Sequence, residues 1–131
     1  MKLNKIIKEL KKANFIYIIG NGGSASTADH LANDLVKQCR LKAISLCSNN
    51  AILTALSNDL SYSIVFLEQL RVFLTKDDLL ITISTSGTSR NVLSAIDYAE
   101  LIGAKVIQFP KGETLSTEDK HIKLVHKILG A

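Results

Sequence analysis

Four short apolar runs, each separated from the next by a stretch of helical periodicity, constrain this chain more than any other feature. They are Phe15-Ile16-Tyr17-Ile18-Ile19, Ala43-Ile44-Ser45-Leu46-Cys47, Leu79-Leu80-Ile81-Thr82-Ile83 and Ala104-Lys105-Val106-Ile107-Gln108-Phe109. The first is β-branched and aromatic with no polar alternation, the pattern of a strand buried on both faces, and the others are read as runs of the same kind. Helical patterns fill 25–38, 50–58, 61–74 and 89–102. Strands alternating with helices imply right-handed crossovers and a parallel sheet covered on both sides. The expected class is therefore α/β, a three-layer α/β/α sandwich with a parallel sheet of four to five strands.

The flanks fit this frame. Leu3, Ile6, Ile7 and Leu10 recur at helical spacing opposite a row of lysines, which predicts an amphipathic helix over 1–13 ending at Asn14. Asp77-Asp78 and Gly103 read as ordinary turn and helix-exit residues. Pro110 closes the fourth strand, and Ser116-x-x-Asp119 reads as a capping box opening a last helix to about Leu129.

The chain has 131 residues, 47% of them hydrophobic and only one a proline, enough for one folded domain over 1–131 and too few for two. No apolar run approaches the roughly 18 residues that span a bilayer. The start carries lysines with no long apolar stretch behind them, so a cytoplasmic protein with no membrane partner is expected. Lys2, Lys5, Lys8, Lys11 and Lys12 against Glu9 account for the whole net charge of +4. Basic residues confined to one helix, without an aromatic-plus-basic stacking pattern, read as a solvated face, and no nucleic-acid partner is expected. Cys39 and Cys47 have neither metal-ligand nor CxxC spacing and are expected to be buried thiols in a reducing compartment.

Two loops carry the chemistry, both at carboxyl ends of expected strands, where ligands bind in open α/β sheets. In Gly20-Asn21-Gly22-Gly23-Ser24-Ala25 the glycines allow backbone N–H groups to turn inward at a helix N-terminus, an anion site. The loop also matches the dinucleotide pattern GxGxxA. However, the second strand ends in Cys47-Ser48-Asn49-Asn50, without the acid that would hold a ribose, and the Gly-Lys-Ser/Thr of a triphosphate loop is missing. The second loop, Ser84-Thr85-Ser86-Gly87-Thr88-Ser89, has five hydroxyls in six residues, more than capping needs, and suits a dianionic monoester phosphate. Arg90 is placed to assist. If strands one and three are neighbours, the loops flank a topological switch point and face one ligand.

His30 and Asp34 lie four apart and share a helix face. Glu118 and His126, eight apart and so only about 80° round a helix, can look one way, with His121 on a different face. Two imidazoles and two carboxylates in a phosphate-binding domain could hold zinc or move protons on a sugar. Taken alone, the residues point to a phosphorylated small molecule and do not name it.

Gly20-Asn21-Gly22-Gly23-Ser24-Ala25 with Asp29-His30-Leu31-Ala32-x-Asp34-Leu35, and Ile83-Ser84-Thr85-Ser86-Gly87-Thr88-Ser89-x-Asn91-Val92, resemble the sugar isomerase (SIS) domain of phosphoheptose isomerases. The similarity runs from about Phe15 to Val106 and resumes over 118–129. The resemblance implies a sheet of flavodoxin-like order. It also implies conversion of sedoheptulose 7-phosphate to D-glycero-D-manno-heptose 7-phosphate through an enediol, toward lipopolysaccharide heptose. One Zn2+ per site and a homo-oligomer, tetramer or dimer, with active sites near subunit interfaces are implied with it. Carried over by position, sugar and phosphate binding falls to Asn21, Gly22, Gly23, Ser24, Asp59, Ser84, Thr85, Ser86 and Ser89. Zinc falls to His30, Asp34, Glu118 and His126, with Asp34 as the base and His126 as the acid. The family usually has glutamate where Asp34 stands and glutamine where Glu118 stands, so this base is one methylene shorter and the metal set carries one more negative charge. The rival reading is a non-catalytic SIS module, either a sugar-phosphate sensor or a DiaA-like protein-binding member, which Ala51-Ile52-Leu53-Thr54-Ala55-Leu56 resembles. Retention of both His30 and His126 favours the enzyme.

Overall fold

A computed structural model of the chain describes residues 3–109, 123 and 126–130. The elements follow in the order α1 (Leu3–Lys12), β1 (Ile16–Gly20), α2 (Gly23–Lys37), β2 (Ala43–Ser45), α3 (Asn50–Asp59), a 3-10 turn (Tyr62–Ile64), α4 (Val65–Phe73), β3 (Leu79–Ile83), α5 (Arg90–Ile102) and β4 (Lys105–Gln108). Lys123 and 126–130 are again helical. Pro110 and the expected capping box at Ser116 and Asp119 lie outside the described residues.

Among the described residues the sheet has four strands, all parallel, in the order β2-β1-β3-β4. Helices lie on both faces, so the expected α/β/α sandwich is the fold. The β1–β3 register, from Ile16 opposite Leu79 to Gly20 opposite Ile83, brings both strands to the same carboxyl edge. Every residue of these two strands is buried. Their alternation divides the core in two. Ile16, Ile18, Leu79, Ile81 and Ile83 pack with Ile6 and Leu10 of α1 and Ala28, Leu31, Ala32 and Leu35 of α2. Tyr17, Ile19 and Leu80 pack with Phe66 and Leu70 of α4 and Ala95, Ile96 and Ala99 of α5. The lysines of α1 from Lys5 to Lys12 are exposed, as a solvated face requires.

The outer strands depart from the sequence reading. β2 ends at Ser45 and leaves Ile44 44% exposed, because an edge strand has a neighbour on one side only. Beyond it Leu46 N still donates to Ile18 O at 3.0 Å, and buried Gln69 donates its Nε2 to Leu46 O at 3.1 Å, closing that end. The stretch expected as one helix over 61–74 is interrupted, since Ser61 caps a 3-10 turn before α4 starts. Cys39, expected to be buried, is exposed, and Cys47 is half-buried. Asp78 is more than a turn residue. It is 3% exposed, and its carboxylate accepts from Phe15 N (3.1 Å), Thr75 N (2.7 Å) and Thr75 Oγ1 (3.0 Å), tying the starts of β1 and β3 together. Gly103 ends α5 at φ 85°, the left-handed exit expected of it.

Candidate functional site

The carboxyl ends of β1 and β3 are adjacent, so the two loops meet at the switch point of the sheet. Gly20 is required there by close approach. A Cβ on it would stand 2.7 Å from Ser24 O and 2.9 Å from Ile83 O. Gly22 is required by conformation, at φ 55°, and is followed directly by α2, which begins at Gly23 rather than near Ala25. Among the described residues no hydrogen bond takes up the N–H of Gly22 or Gly23. Unused donors at a helix N-terminus are what an anion site requires. Ser24 is buried in the first turn.

The hydroxyl loop is organised internally. Ser84 Oγ accepts from Gly87 N (3.0 Å), Ser86 Oγ accepts from Thr88 N (3.1 Å), and Ser86 and Ser89 hydroxyls lie 3.4 Å apart. Gly87 takes φ 69°, a left-handed conformation that favours glycine. A hydroxyl has both donor and acceptor capacity, so backbone N–H groups on the acceptor side fix the Ser84 and Ser86 oxygens and leave the Ser84 O–H unspent. Ser89 sits at the N-cap of α5 yet makes no side-chain capping bond, so capping does not consume it. Arg90 beside it is exposed and has no ion pair among the described residues.

An amide network missing from the sequence reading joins the two loops. Asn21 and Asn91 exchange both amide hydrogen bonds, each 2.9 Å, and Tyr62 OH donates to Asn21 Oδ1 at 2.7 Å. Asn91 is 2% exposed. A polar residue on the apolar face that Val92, Ala95 and Ala99 define was the one signal available for it. Nothing local pointed to Tyr62, 41 residues from its partner.

The expected helical pair forms. His30 Nε2 lies 3.1 Å from Asp34 Oδ2, and Asp34 is buried while His30 is exposed. The His126 ring stands edge-on to that of His30 with centroids 5.7 Å apart. Three of the four expected metal ligands are thus neighbours, and the fourth, Glu118, lies with His121 outside the described residues. Imidazole, carboxylate, imidazole is a donor set that zinc accepts. Among the described residues, however, no three His, Cys, Asp or Glu groups close around one point. Asp59 ends α3 exposed, taking a hydrogen bond from Asn58 Nδ2 (3.0 Å), and neither loop bonds to it.

Cavities of 310 Å³ and 410 Å³ lie away from the two loops, at the amino ends of the strands and between α3 and α4. No helix among the described residues is long and apolar enough to cross a membrane.

The profile of the family described as SIS domain matches residues 3–109. A phosphoheptose isomerase of Thermodesulfovibrio yellowstonii is 44% identical over 84% of this chain and 58% of its own length. One of Helicobacter pylori strain P12 is 35% identical over 92% of this chain and 75% of its own. This chain therefore spans between about three fifths and three quarters of these relatives. Among solved structures, phosphoheptose isomerase GmhA of Neisseria gonorrhoeae superposes with a TM-score of 0.88 at 29% identity, over 98% of this chain and 80% of that one.

Proposed function

This chain belongs to the SIS domain family and, within it, to the phosphoheptose isomerases, and from that membership we propose that it interconverts a ketose and an aldose phosphate. The substrate is sedoheptulose 7-phosphate and the product D-glycero-D-manno-heptose 7-phosphate. The observation that carries the reading is the pair of adjoining loops, one offering free N–H groups at a helix N-terminus and the other a set of internally fixed hydroxyls. Ser24, Ser84, Thr85, Ser86 and Ser89, with Gly22 and Gly23, hold the phosphate. Asn21 and Asp59 meet sugar oxygens.

In the isomerisation the Asp34 carboxylate removes a proton from C1 of the open-chain ketose, and with the hydroxyl proton moved from the C1 oxygen to the C2 oxygen this leaves an enediolate that needs a proton at C2. The His126 imidazole then returns a proton, so the product is an isomer of the substrate and no redox partner is needed. His30, bonded to Asp34, orients that carboxylate. His30, Asp34, His126 and Glu118 are the residues that would hold zinc, which when bound stabilises charge developing on sugar oxygens.

The reading extends to a homo-oligomer in the cytoplasm. No residue of α3 is buried, and Leu60, Tyr62, Val72 and Phe73 are exposed nearby, an apolar face that a second subunit would cover. Both cysteines are free, as a reducing compartment keeps them.

The test is conversion of sedoheptulose 7-phosphate with and without added zinc, with Asp34→Asn and His126→Asn beside the wild type. Zinc-enhanced conversion, lost by about a hundredfold or more in both variants while sugar-phosphate binding persists, is the expected result. No conversion, with the sugar phosphate still raising Tm, would instead establish a binding module.

A further inference from the structure

The Asn21 carboxamide has almost no freedom left. Its Oδ1 accepts from Tyr62 OH (2.7 Å) and from Asn91 Nδ2 (2.9 Å), and its Nδ2 donates to Asn91 Oδ1 (2.9 Å). A carboxamide oxygen has two lone pairs and its nitrogen two protons, so both acceptor positions are filled and one N–H remains. We propose that Asn91 and Tyr62 are positioning residues that lock Asn21 as a hydrogen-bond donor, so that its side chain recognises an acceptor oxygen of the sugar and offers it no acceptor in return.

The three residues come from three elements. Asn21 stands at the end of β1, Asn91 in the first turn of α5 directly behind the hydroxyl loop, and Tyr62 on the 3-10 turn after α3. Their bonds therefore set the distance between the two phosphate loops as well as the amide's orientation. Asn91 is 2% exposed and, among the described residues, has no side-chain bond except the pair with Asn21, so its amide depends on that of Asn21 for satisfaction. Tyr62 is 56% exposed, and its ring is not core packing that the fold requires. Its hydroxyl reaches the one remaining lone pair of Asn21. On the Asn21 side chain the one valence left unspent is then the second Nδ2 proton, beside the N–H groups of Gly22 and Gly23. A donor already held in place loses no rotamer freedom when it meets its ligand, which is the gain a positioning residue supplies.

This inference rests on the isomerase reading for its substrate, and its experiment separates the two. Tyr62→Phe, Asn91→Ala and Asn21→Ala are made singly and as the pairs Tyr62→Phe/Asn21→Ala and Asn91→Ala/Asn21→Ala. kcat/KM for sedoheptulose 7-phosphate, calorimetric Kd for the same sugar phosphate, and Tm are measured for each. Tyr62→Phe and Asn91→Ala are each expected to lower kcat/KM about tenfold in the wild-type background and less than about twofold once Asn21 is alanine. Equal losses in both backgrounds, or none in either, would overturn the proposal, since a role in folding alone has no reason to vanish with the Asn21 amide. Should Asn91→Ala fail to fold, Asn91→Asp keeps the acceptor for Asn21 Nδ2 and removes the donor, and Tyr62→Phe removes a single exposed hydroxyl. A wild type that binds the sugar phosphate without converting it refutes the isomerase reading, and the same cycle on Kd then decides the positioning role. A wild type that neither binds nor converts it overturns both.

Discussion

Replacing Gly20 by alanine probes whether backbone contact at the switch point, rather than side-chain chemistry, holds the two loops in register. A Cβ there would lie 2.7 Å from Ser24 O, 2.8 Å from Ser24 C and 2.9 Å from Ile83 O. Carbon atoms rest at about 3.5 Å or more from such neighbours, so each contact is short by roughly 0.6–0.8 Å. All three atoms are backbone, and no rotamer change relieves them. Gly20 has no positive φ, so alanine is conformationally acceptable and would otherwise gain about 0.4–1 kcal/mol from a less flexible unfolded chain. Overpacking of this kind costs about 1–3 kcal/mol. The net expectation is a loss of about 1–2 kcal/mol, or about 3–10 °C in Tm for a chain of this size. The functional effect should exceed the stability effect. The strain is relieved only by moving the first turn of α2 away from the end of β3, and a shift of about 1 Å in a binding constellation costs up to about a hundredfold. Thermal unfolding and sugar-phosphate affinity of Gly20→Ala check both parts. An unchanged Tm with unchanged affinity would refute the steric argument. A Tm loss with unchanged affinity would refute the claim that this contact sets the loops' spacing.

Ser86→Asp should abolish sugar-phosphate affinity. A carboxylate about 4 Å from a phosphate repels it by roughly 1–4 kcal/mol between bulk-water and protein-surface conditions, and calorimetry showing unchanged affinity would remove Ser86 from the anion site. Asp78→Ala should lower stability by about 2–4 kcal/mol by urea unfolding, because Phe15 N and Thr75 N lose their acceptor. Its folded fraction should keep wild-type kcat, since Asp78 lies at the amino ends of the strands. Burial pushes the Cys47 thiol above its ordinary 9.0, so its contribution to stability is intact below pH 9 and is lost as pH rises through the folded-state value. The urea midpoint should therefore fall on the alkaline side, and mass spectrometry should find Cys39 alkylated well before Cys47. A midpoint flat to about pH 10 would contradict this linkage.

Much of the site was legible in the sequence because its parts are local. The glycine loop and the hydroxyl loop each lie within six residues, and His30 with Asp34 is a one-turn helical pair, so chain geometry alone brings those groups together. The edges of the sheet were less legible. Ala43 to Cys47 is apolar enough to suggest a buried strand. Burial of Ile44, though, depends on a neighbour that the topology does not supply, and the strand stops at Ser45. Cys39 follows the same logic, since its apolarity says nothing of a position just past the end of α2.

By itself the sequence determined the α/β alternation, the parallel sheet and the glycine and hydroxyl loops that follow β1 and β3. These follow from side-chain periodicity and backbone sterics acting over a few residues. Only the tertiary structure decided that β1 and β3 are neighbours, that Gly20 is pressed between Ser24 and Ile83, and that Asp78 ties two strand starts together. It alone joined Asn21, Tyr62 and Asn91. Those contacts span 41 to 70 residues of chain. No local preference encodes them, because they exist only once the apolar faces have docked and brought the buried Asn91 amide against Asn21.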